Sequence, residues 1–367
     1  MATLRKIAKA IIPRLLIQKI RALNDALHRR LIYLFAPSRW TASLYYCLFS
    51  TRFGREHQAL LQGRIRYLES LKAEPDKRMK SRVLLRRNIH RLEKGLIMQP
   101  RRSSFASAYI AETLAQFQFA VANPEQDQDE LQWAHDVLDA YFSVVKDTPT
   151  IAKARKQWET SVGRGSSSNK KPYQYKELPR STITREELKC LFTQRRSVRW
   201  FDSNRKVSGD VIEKAVELSS LAPSACNRLP YSYYYLDTPK RAQEIAALAG
   251  GTVGFSQNIQ HLIVVVGDLS CYPLERDRHC IYIDASLATM QLMLAFETMG
   301  VSTCPINWPD DEGREQLMAE RLGLEKFQRP VMLLAFGYAD PQGGIPYSAK
   351  KSANLLLVKD SEYSAHS

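Results

Sequence analysis

Along the first third of the chain, apolar residues recur every three or four positions, the spacing of a helix face. Leu4, Ile7, Ile11, Leu15, Leu16, Ile20, Leu23, Leu27 and Leu31 form one such stripe between basic residues, which predicts an amphipathic helix over 4–35. The more apolar stretch from Leu31 to Ser50 is interrupted by Pro37 and Arg39, so it makes a poor membrane span, which needs roughly 20 mostly apolar residues. Helical spacing resumes over Phe53–Leu71, from near Ser81 to a stop at Gly95, through Phe105–Ala120 and through Leu131–Lys146. From Val162 to Lys171 the chain turns to Gly, Ser and Lys, a linker that Pro172–Pro179 extends. Thr182 or Thr184 then caps a helix over Glu186 and Glu187.

Beyond the linker the pattern changes. A helical stretch over Gly209–Ala222 is ended by Pro223, Tyr231–Leu236 reads as a strand, and Lys240–Ala249 is helical again. The run His261–Val266 lacks alternation and reads as a buried strand stopped by Gly267-Asp268. A long apolar helix spans about Tyr282–Met299, a loop follows over Gly300–Asn307, and Pro330–Phe336 is a second buried strand. Interleaved strands and helices predict an α+β or α/β layered fold. The expected division is a basic, mostly helical region at 1–180 and a mixed domain at 181–367.

With 44% apolar and 25% charged residues among 367, the chain can bury a sizeable core, and wholesale disorder is excluded. Its net charge of +15 draws anions: nucleic acid, anionic lipid or phosphorylated small molecules. Nucleic acid is not the expected partner, because no recognition helix, zinc signature or ordered aromatic-basic platform occurs. The six cysteines form neither a disulfide framework nor a metal knuckle, so a reducing, cytoplasmic setting without a metal is expected. Ala10-Ile11-Ile12, cut by Pro13 and Arg14, is too short for a signal-peptide core. The basic stripe fits two roles: a peripheral contact with the anionic inner face of the membrane, or packing against the protein body or a partner helix.

Several segments carry candidate chemistry. Arg86, His90 and Lys94 share one helix face, with Arg87 and Arg91 beside them and Arg101-Arg102 following; they suit either an anion or acidic neighbours such as Glu93. In the run Arg195-Arg196-Ser197-Val198-Arg199-Trp200, alternate side chains converge, so Arg195, Ser197 and Arg199 can meet one anion while Val198 and Trp200 turn into packing. Pro223-Ser224-Ala225-Cys226-Asn227 sets small polar groups where the chain must turn, and Asn227 offers both a donor and an acceptor. Cys226 has no adjacent histidine and reads more readily as a small packed thiol than as a nucleophile. Cys304-Pro305-Ile306-Asn307 offers backbone and amide groups to a flat heterocycle, and Lys350 and Lys351 supply late cations.

Residues 188–357 resemble the nitroreductase-like family of FMN-dependent oxidoreductases, on the strength of Arg195–Arg199 and Pro223–Asn227 in that order. Gly254-Phe255, Asp284-Ala285-Ser286 and Gly337-Tyr338 are further landmarks in the expected order. The resemblance implies a mainly antiparallel sheet flanked by helices. It implies FMN held by Arg195, Arg196, Ser197 and Arg199, by Pro223, Ser224, Ala225 and Asn227, by Pro305, Ile306 and Asn307, and by Lys350 or Lys351. It further implies NADH or NADPH as transient hydride donor, an oxidised organic acceptor, and a homodimer with FMN at the subunit interface, each pocket drawing on both chains. No side-chain acid or base is needed for hydride transfer, so no catalytic residue is assigned. Where many relatives have Asn-x-Gln-Pro-Trp, this chain has Asn227-Arg228-Leu229-Pro230-Tyr231, which loosens the inference to substrate more than to cofactor. The helical extension with Asn88–Gly95 is similar to that of bacterial members linked to surface-polysaccharide gene sets. Two alternatives stand beside this reading: a flavin enzyme dedicated to one metabolite, and a non-catalytic membrane-associated factor in envelope polysaccharide synthesis.

Overall fold

The computed structural model describes residues 14–50, 52–72, 80–161 and 169–359. Leu4, Ile7 and Ile11 of the predicted stripe and 162–168 of the predicted linker lie outside these residues.

The helical region comprises α1 (Arg14–Phe35), α2 (Arg39–Leu48), α3 (Gly54–Lys72), α4 (Val83–Leu96), α5 (Ile110–Val121), α6 (Gln128–Val144) and α7 (Pro149–Ser161). Pro37 separates α1 from α2, and Ser38 caps α2 by accepting from Thr41 N at 3.2 Å. α6 begins before Leu131 because the Asp127 carboxylate accepts from Glu130 N at 2.7 Å. The sequence pattern did not predict α7, which starts with Pro149 and is fixed by tertiary packing: Trp158 stacks on Phe142 and meets Phe117 edge-on. The apolar face of α4 (Leu85, Ile89, Leu92) joins Leu114, Val137, Tyr141 and Ile151 in one core.

The remainder runs α8 (Arg185–Gln194), α9 (Gly209–Ser219), β1 (Tyr231–Leu236), α10 (Pro239–Ala246), β2 (His261–Asp268), α11 (Cys280–Thr298), β3 (Ser302–Asn307), α12 (Glu312–Leu322), β4 (Gln328–Gly337) and α13 (Ala353–Leu356). The sheet order is β1-β2-β4-β3, every pairing antiparallel, with helices on both faces: the expected α+β architecture. β2 is central, which explains its unbroken apolar run. Leu262, Val264 and Val266 face α10 and α12 through Ile245 and Met318, while Ile263 and Val265 face α9 and α11 through Ala215, Leu292 and Phe296.

The predicted loop at Pro305–Asn307 is in fact strand β3, with Pro305 opposite Leu334 and Ile306 opposite Leu333. Proline is tolerated because β3 lies at the rim of the sheet, with a single bridge, Ser197 to Thr303, beyond it. The segment Glu275–Thr298 is long and apolar enough to cross a membrane, yet half of it is buried, and α11 packs along the sheet as a core helix.

The helical region rests on this body through α3. Gly63 approaches so closely that a Cβ there would lie 2.9 Å from the Leu269 backbone, and Ala59 packs with Leu269, Tyr272 and Ile281. Arg55–Glu312 at 2.7 Å and Arg64–Glu275 at 2.9 Å flank this contact.

Candidate functional site

The first arginine segment is placed by α8. Of the two predicted caps it is Thr184 that serves, accepting from Glu187 N at 3.2 Å while Glu187 accepts from Thr184 N at 2.7 Å. Past Gln194 the chain extends along β3: Ser197 bridges Thr303 in parallel, and Val198 N donates to Thr303 O at 3.0 Å. Val198 and Phe201 enter the core, whereas Trp200, expected to pack inward, is exposed beside Gly343. Asn258 fixes this register by accepting from Phe201 N at 2.6 Å and donating to Phe201 O at 3.1 Å.

This ribbon carries two guanidinium groups with no carboxylate at ion-pair distance among the described residues. The Arg199 guanidinium lies 5.7 Å from the Phe255 ring centroid and makes one long bond, 3.4 Å, to Ser197 O. Among the described residues Arg195 has neither a side-chain hydrogen bond nor an ion pair, and the buried Thr303 hydroxyl has no partner. Burial pushes the Cys304 thiol up, and the charges of Arg199 and Arg195 oppose that rise. Burial also raises Glu297, against a hydrogen bond from Gln194 and the charge of Arg195. Arg196 differs from its neighbours: its guanidinium donates to Pro346 O at 2.8 Å and to Tyr347 O, which anchors the C-terminal segment. Lys350 and Lys351 are exposed shortly beyond that anchor. On β3 the Ile306 side chain is buried in the core, Pro305 is half-buried, and Asn307 is exposed at the strand end.

The second segment follows α9 as a tight turn in which Cys226, Asn227 and Leu229 adopt left-handed φ values of 55°, 52° and 47°. Asp284, buried near the start of α11, organises it: Oδ2 accepts from Ser224 Oγ at 2.8 Å, Ala225 N at 2.9 Å and Tyr272 OH at 3.4 Å. Ser224 Oγ in turn accepts from Leu229 N at 2.8 Å, and Ser224 O accepts from Asn227 N at 2.9 Å. The Ser224 hydroxyl and the Ala225 amide are therefore committed inside the protein. Asn227 differs: its main chain is held while its side-chain amide has no hydrogen bond among the described residues. Arg228 is buried over the Tyr272 ring at 4.6 Å. Burial raises the Tyr231 hydroxyl, with Tyr233 and Asp284 adding to the effect.

The two segments do not converge within one chain. The second is tied to Asp284 and the first neighbours Glu297, nearly four turns further along α11, a helical rise of roughly 20 Å. The basic cluster on α4 has protein partners: Arg87 bonds Glu112 at 2.5 Å, His90 meets Glu93 at 3.2 Å, and Arg91 covers the Tyr109 ring at 3.7 Å. Asp284 and Phe255 figured in the sequence only as landmarks, and Arg86 only as part of that cluster. A long-range contact such as Arg86 to Asn227 leaves no local sequence signal.

Sheet, ribbon and turned amide loop together define a nitroreductase-like α+β fold. The Nitroreductase family model matches residues 192–264 and 249–338. A putative NADH dehydrogenase/NAD(P)H nitroreductase of Archaeoglobus fulgidus is 30% identical over 158 residues, spanning 42% of this chain and 85% of that protein. The putative NAD(P)H nitroreductase YdgI of Bacillus subtilis is 28% identical over 189 residues, spanning 42% of this chain and 88% of its own. The solved structure of the putative nitroreductase ydfN from Bacillus subtilis aligns with a TM-score of 0.41 at 19% identity, covering 48% of this chain and 100% of that one. The chain belongs to the nitroreductase family, and its general function is that of the nitroreductase and NAD(P)H–flavin oxidoreductase superfamily.

Proposed function

We propose that the protein is an FMN-dependent oxidoreductase that passes hydride or electrons from NADH or NADPH to an oxidised organic acceptor. The observation that carries this reading is the pair Arg195 and Arg199 flanking Ser197: half-buried cations with no ion-pair partner among the described residues. A phosphate-bearing, electron-accepting ring fits that set. When bound, FMN supplies the hydride chemistry that side chains lack. Arg195 and Arg199 supply the positive charge that a phosphate or an anionic reduced ring requires, and Asn227 brings an uncommitted amide. Ser197 and β3 form the wall, Arg196 secures the C-terminal segment that carries Lys350 and Lys351, and Ser224 and Ala225 shape the turn that carries Asn227. Pro223 stops α9 ahead of that turn, and Pro305, Ile306 and Asn307 contribute backbone at the sheet rim.

The separation of the two segments along α11 favours a homodimeric site in which Arg195, Ser197 and Arg199 act with the partner subunit's Asn227. An exposed apolar stripe on α11 (Ile283, Leu287, Met290) and the exposed run Leu355–Val358 offer surface for such pairing. Names among the relatives extend from NAD(P)H nitroreductases to a CLA biosynthesis enone reductase, so the acceptor class proposed is a conjugated, electron-poor organic molecule.

A peripheral role at an anionic membrane is the second reading for the helical region. Leu23 and Trp40 are 73% and 76% exposed, and Lys19, Arg29, Arg30 and Arg39 lie exposed among them without a carboxylate partner among the described residues. Co-sedimentation with vesicles containing phosphatidylserine, but not with phosphatidylcholine alone, is the expected result; equal partitioning to both removes it.

The absorbance spectrum of the purified protein before and after anaerobic NADH or NADPH tests the main reading. A flavin band bleached by the nicotinamide is expected. Protein that stays colourless and binds no added FMN overturns it. A flavin reduced by a candidate metabolite but not by nicotinamide favours the dedicated enzyme. Bound flavin that neither reduces leaves a non-catalytic factor.

A further inference from the structure

The turn carrying Asn227 is held from two sides, and the second side comes from the helical region outside the family match. On the body side, Ser224 and Asp284 hold the amides of Ala225, Asn227 and Leu229. From α4, Arg86 Nε donates to Asn227 O at 3.0 Å. Arg86 is itself immobilised: Nη1 donates to Glu130 Oε2 at 3.1 Å, and its guanidinium lies 5.4 Å from the Trp133 ring centroid. Glu130, buried on α6, also accepts from Arg82 N at 2.9 Å and Gln126 Nε2 at 3.2 Å, so the anchor reaches back to the α4–α6 bundle.

We propose that Arg86 is a positioning residue for the cofactor loop, through which the N-terminal helices set the direction of the Asn227 side chain. The peptides on both sides of the Asn227 Cα are planar units, one held by Asn227 N donating to Ser224 O at 2.9 Å and the other by Arg86 at the Asn227 carbonyl, and together they fix N, Cα and C and so the Cα–Cβ direction. Left-handed φ values at Cys226, Asn227 and Leu229 are sparsely populated by residues other than glycine and persist where surrounding contacts over-determine them. The Asn227 amide is the group left uncommitted, and Arg86 decides where it points. The fork geometry matters: one planar guanidinium holds Glu130 and the Asn227 carbonyl in fixed relative directions, whereas a lysine ammonium, a point charge with rotatable donors on a flexible stem, fixes neither direction.

The proposal rests on the reading of Asn227 as an FMN contact, and the test separates the two. FMN affinity is measured by flavin fluorescence quenching for the wild type, Arg86→Lys, Asn227→Ala and the double variant, together with apo-protein melting and the visible spectrum at saturating FMN. Arg86→Lys is expected to weaken FMN about tenfold, to alter the shape of the bound-flavin band, and to leave melting close to wild type. In the Asn227→Ala background the same substitution is expected to change affinity less than twofold, because the side chain that Arg86 directs is gone. If Arg86→Lys weakens FMN equally in both backgrounds, or leaves affinity unchanged while Asn227→Ala weakens it, the positioning role is overturned. If Asn227→Ala alone leaves affinity unchanged, the cofactor reading of that loop fails first.

Discussion

Replacing Ser224 with alanine tests how the second loop is built. Its hydroxyl is both donor and acceptor: it donates to buried Asp284 at 2.8 Å and accepts from Leu229 N at 2.8 Å. The first bond is charge-assisted and worth about 1.5–3 kcal/mol; the second is a neutral bond worth about 1 kcal/mol. Asp284 keeps the Ala225 amide at 2.9 Å and the Tyr272 hydroxyl at 3.4 Å, so its carboxylate is not orphaned and the lower end of the range applies. Leu229, however, loses the bond that holds it at φ 47°, a conformation that costs an L-residue roughly 1–2 kcal/mol and relaxes once released. The expected loss is about 2–3 kcal/mol, concentrated in the loop. Hydrogen exchange at the Leu229 amide reads it directly as a roughly 30- to 150-fold faster opening. Ser220→Ala is the control, since that exposed hydroxyl bonds only its own helix, to Glu217 O at 2.7 Å. Exchange at Leu229 within threefold of wild type in Ser224→Ala would refute the account of this loop as an Asp284-centred latch.

Arg195→Ala and Arg199→Gln are each expected to weaken FMN at least tenfold while shifting apo-protein melting little, because neither guanidinium pairs with a carboxylate; titration calorimetry and melting curves check both. Burial and nearby Lys206 lower the His261 pKa from its ordinary value, and neutral Nε2 accepts from Val207 N at 3.3 Å. The unfolded chain therefore takes up this proton first, and stability is lost as pH falls below about 6.5 towards the folded pKa. His261→Gln, which keeps an acceptor, is expected to lose that part of the pH dependence in urea titrations at pH 5–7. Glu315 accepts from Trp308 Nε1 at 2.6 Å and lies 3.3 Å from buried Arg329. Glu315→Leu alone is expected to cost about 1–3 kcal/mol, because Trp308 Nε1 loses its acceptor while Arg329 keeps only its pair with Asp310, and adding Arg329→Met is expected to recover part of it, measured by chemical denaturation.

Local chemistry was legible in the sequence where it is self-contained. Thr184 and Glu187 form their capping box within one turn, and the unbroken run in β2 reports a strand covered on both faces whatever covers it. Pairing partners were not legible. β3 carries proline and short polar residues, and its extended form comes from β4 opposite it; α7 opens with Pro149-Thr150 and is settled by Trp158 against Phe117 and Phe142. Trp200 and Phe201 show the same limit, since alternation assigned the tryptophan inward while Asn258 and the core selected the phenylalanine.

The sequence by itself determined the residue types of the candidate site: arginines and a serine in one extended run, an asparagine in a turn that follows a proline-stopped helix. Only the tertiary structure decided how they are arranged. It set the two runs at opposite ends of α11, left Arg195 and Arg199 without an ion pair among the described residues, turned Arg196 and Ser224 to internal bonds, and brought Arg86 to Asn227 from a distant helix. Spacing along a chain fixes which side chains share one element, whereas the meeting of elements depends on packing and hydrogen bonds summed over the whole core.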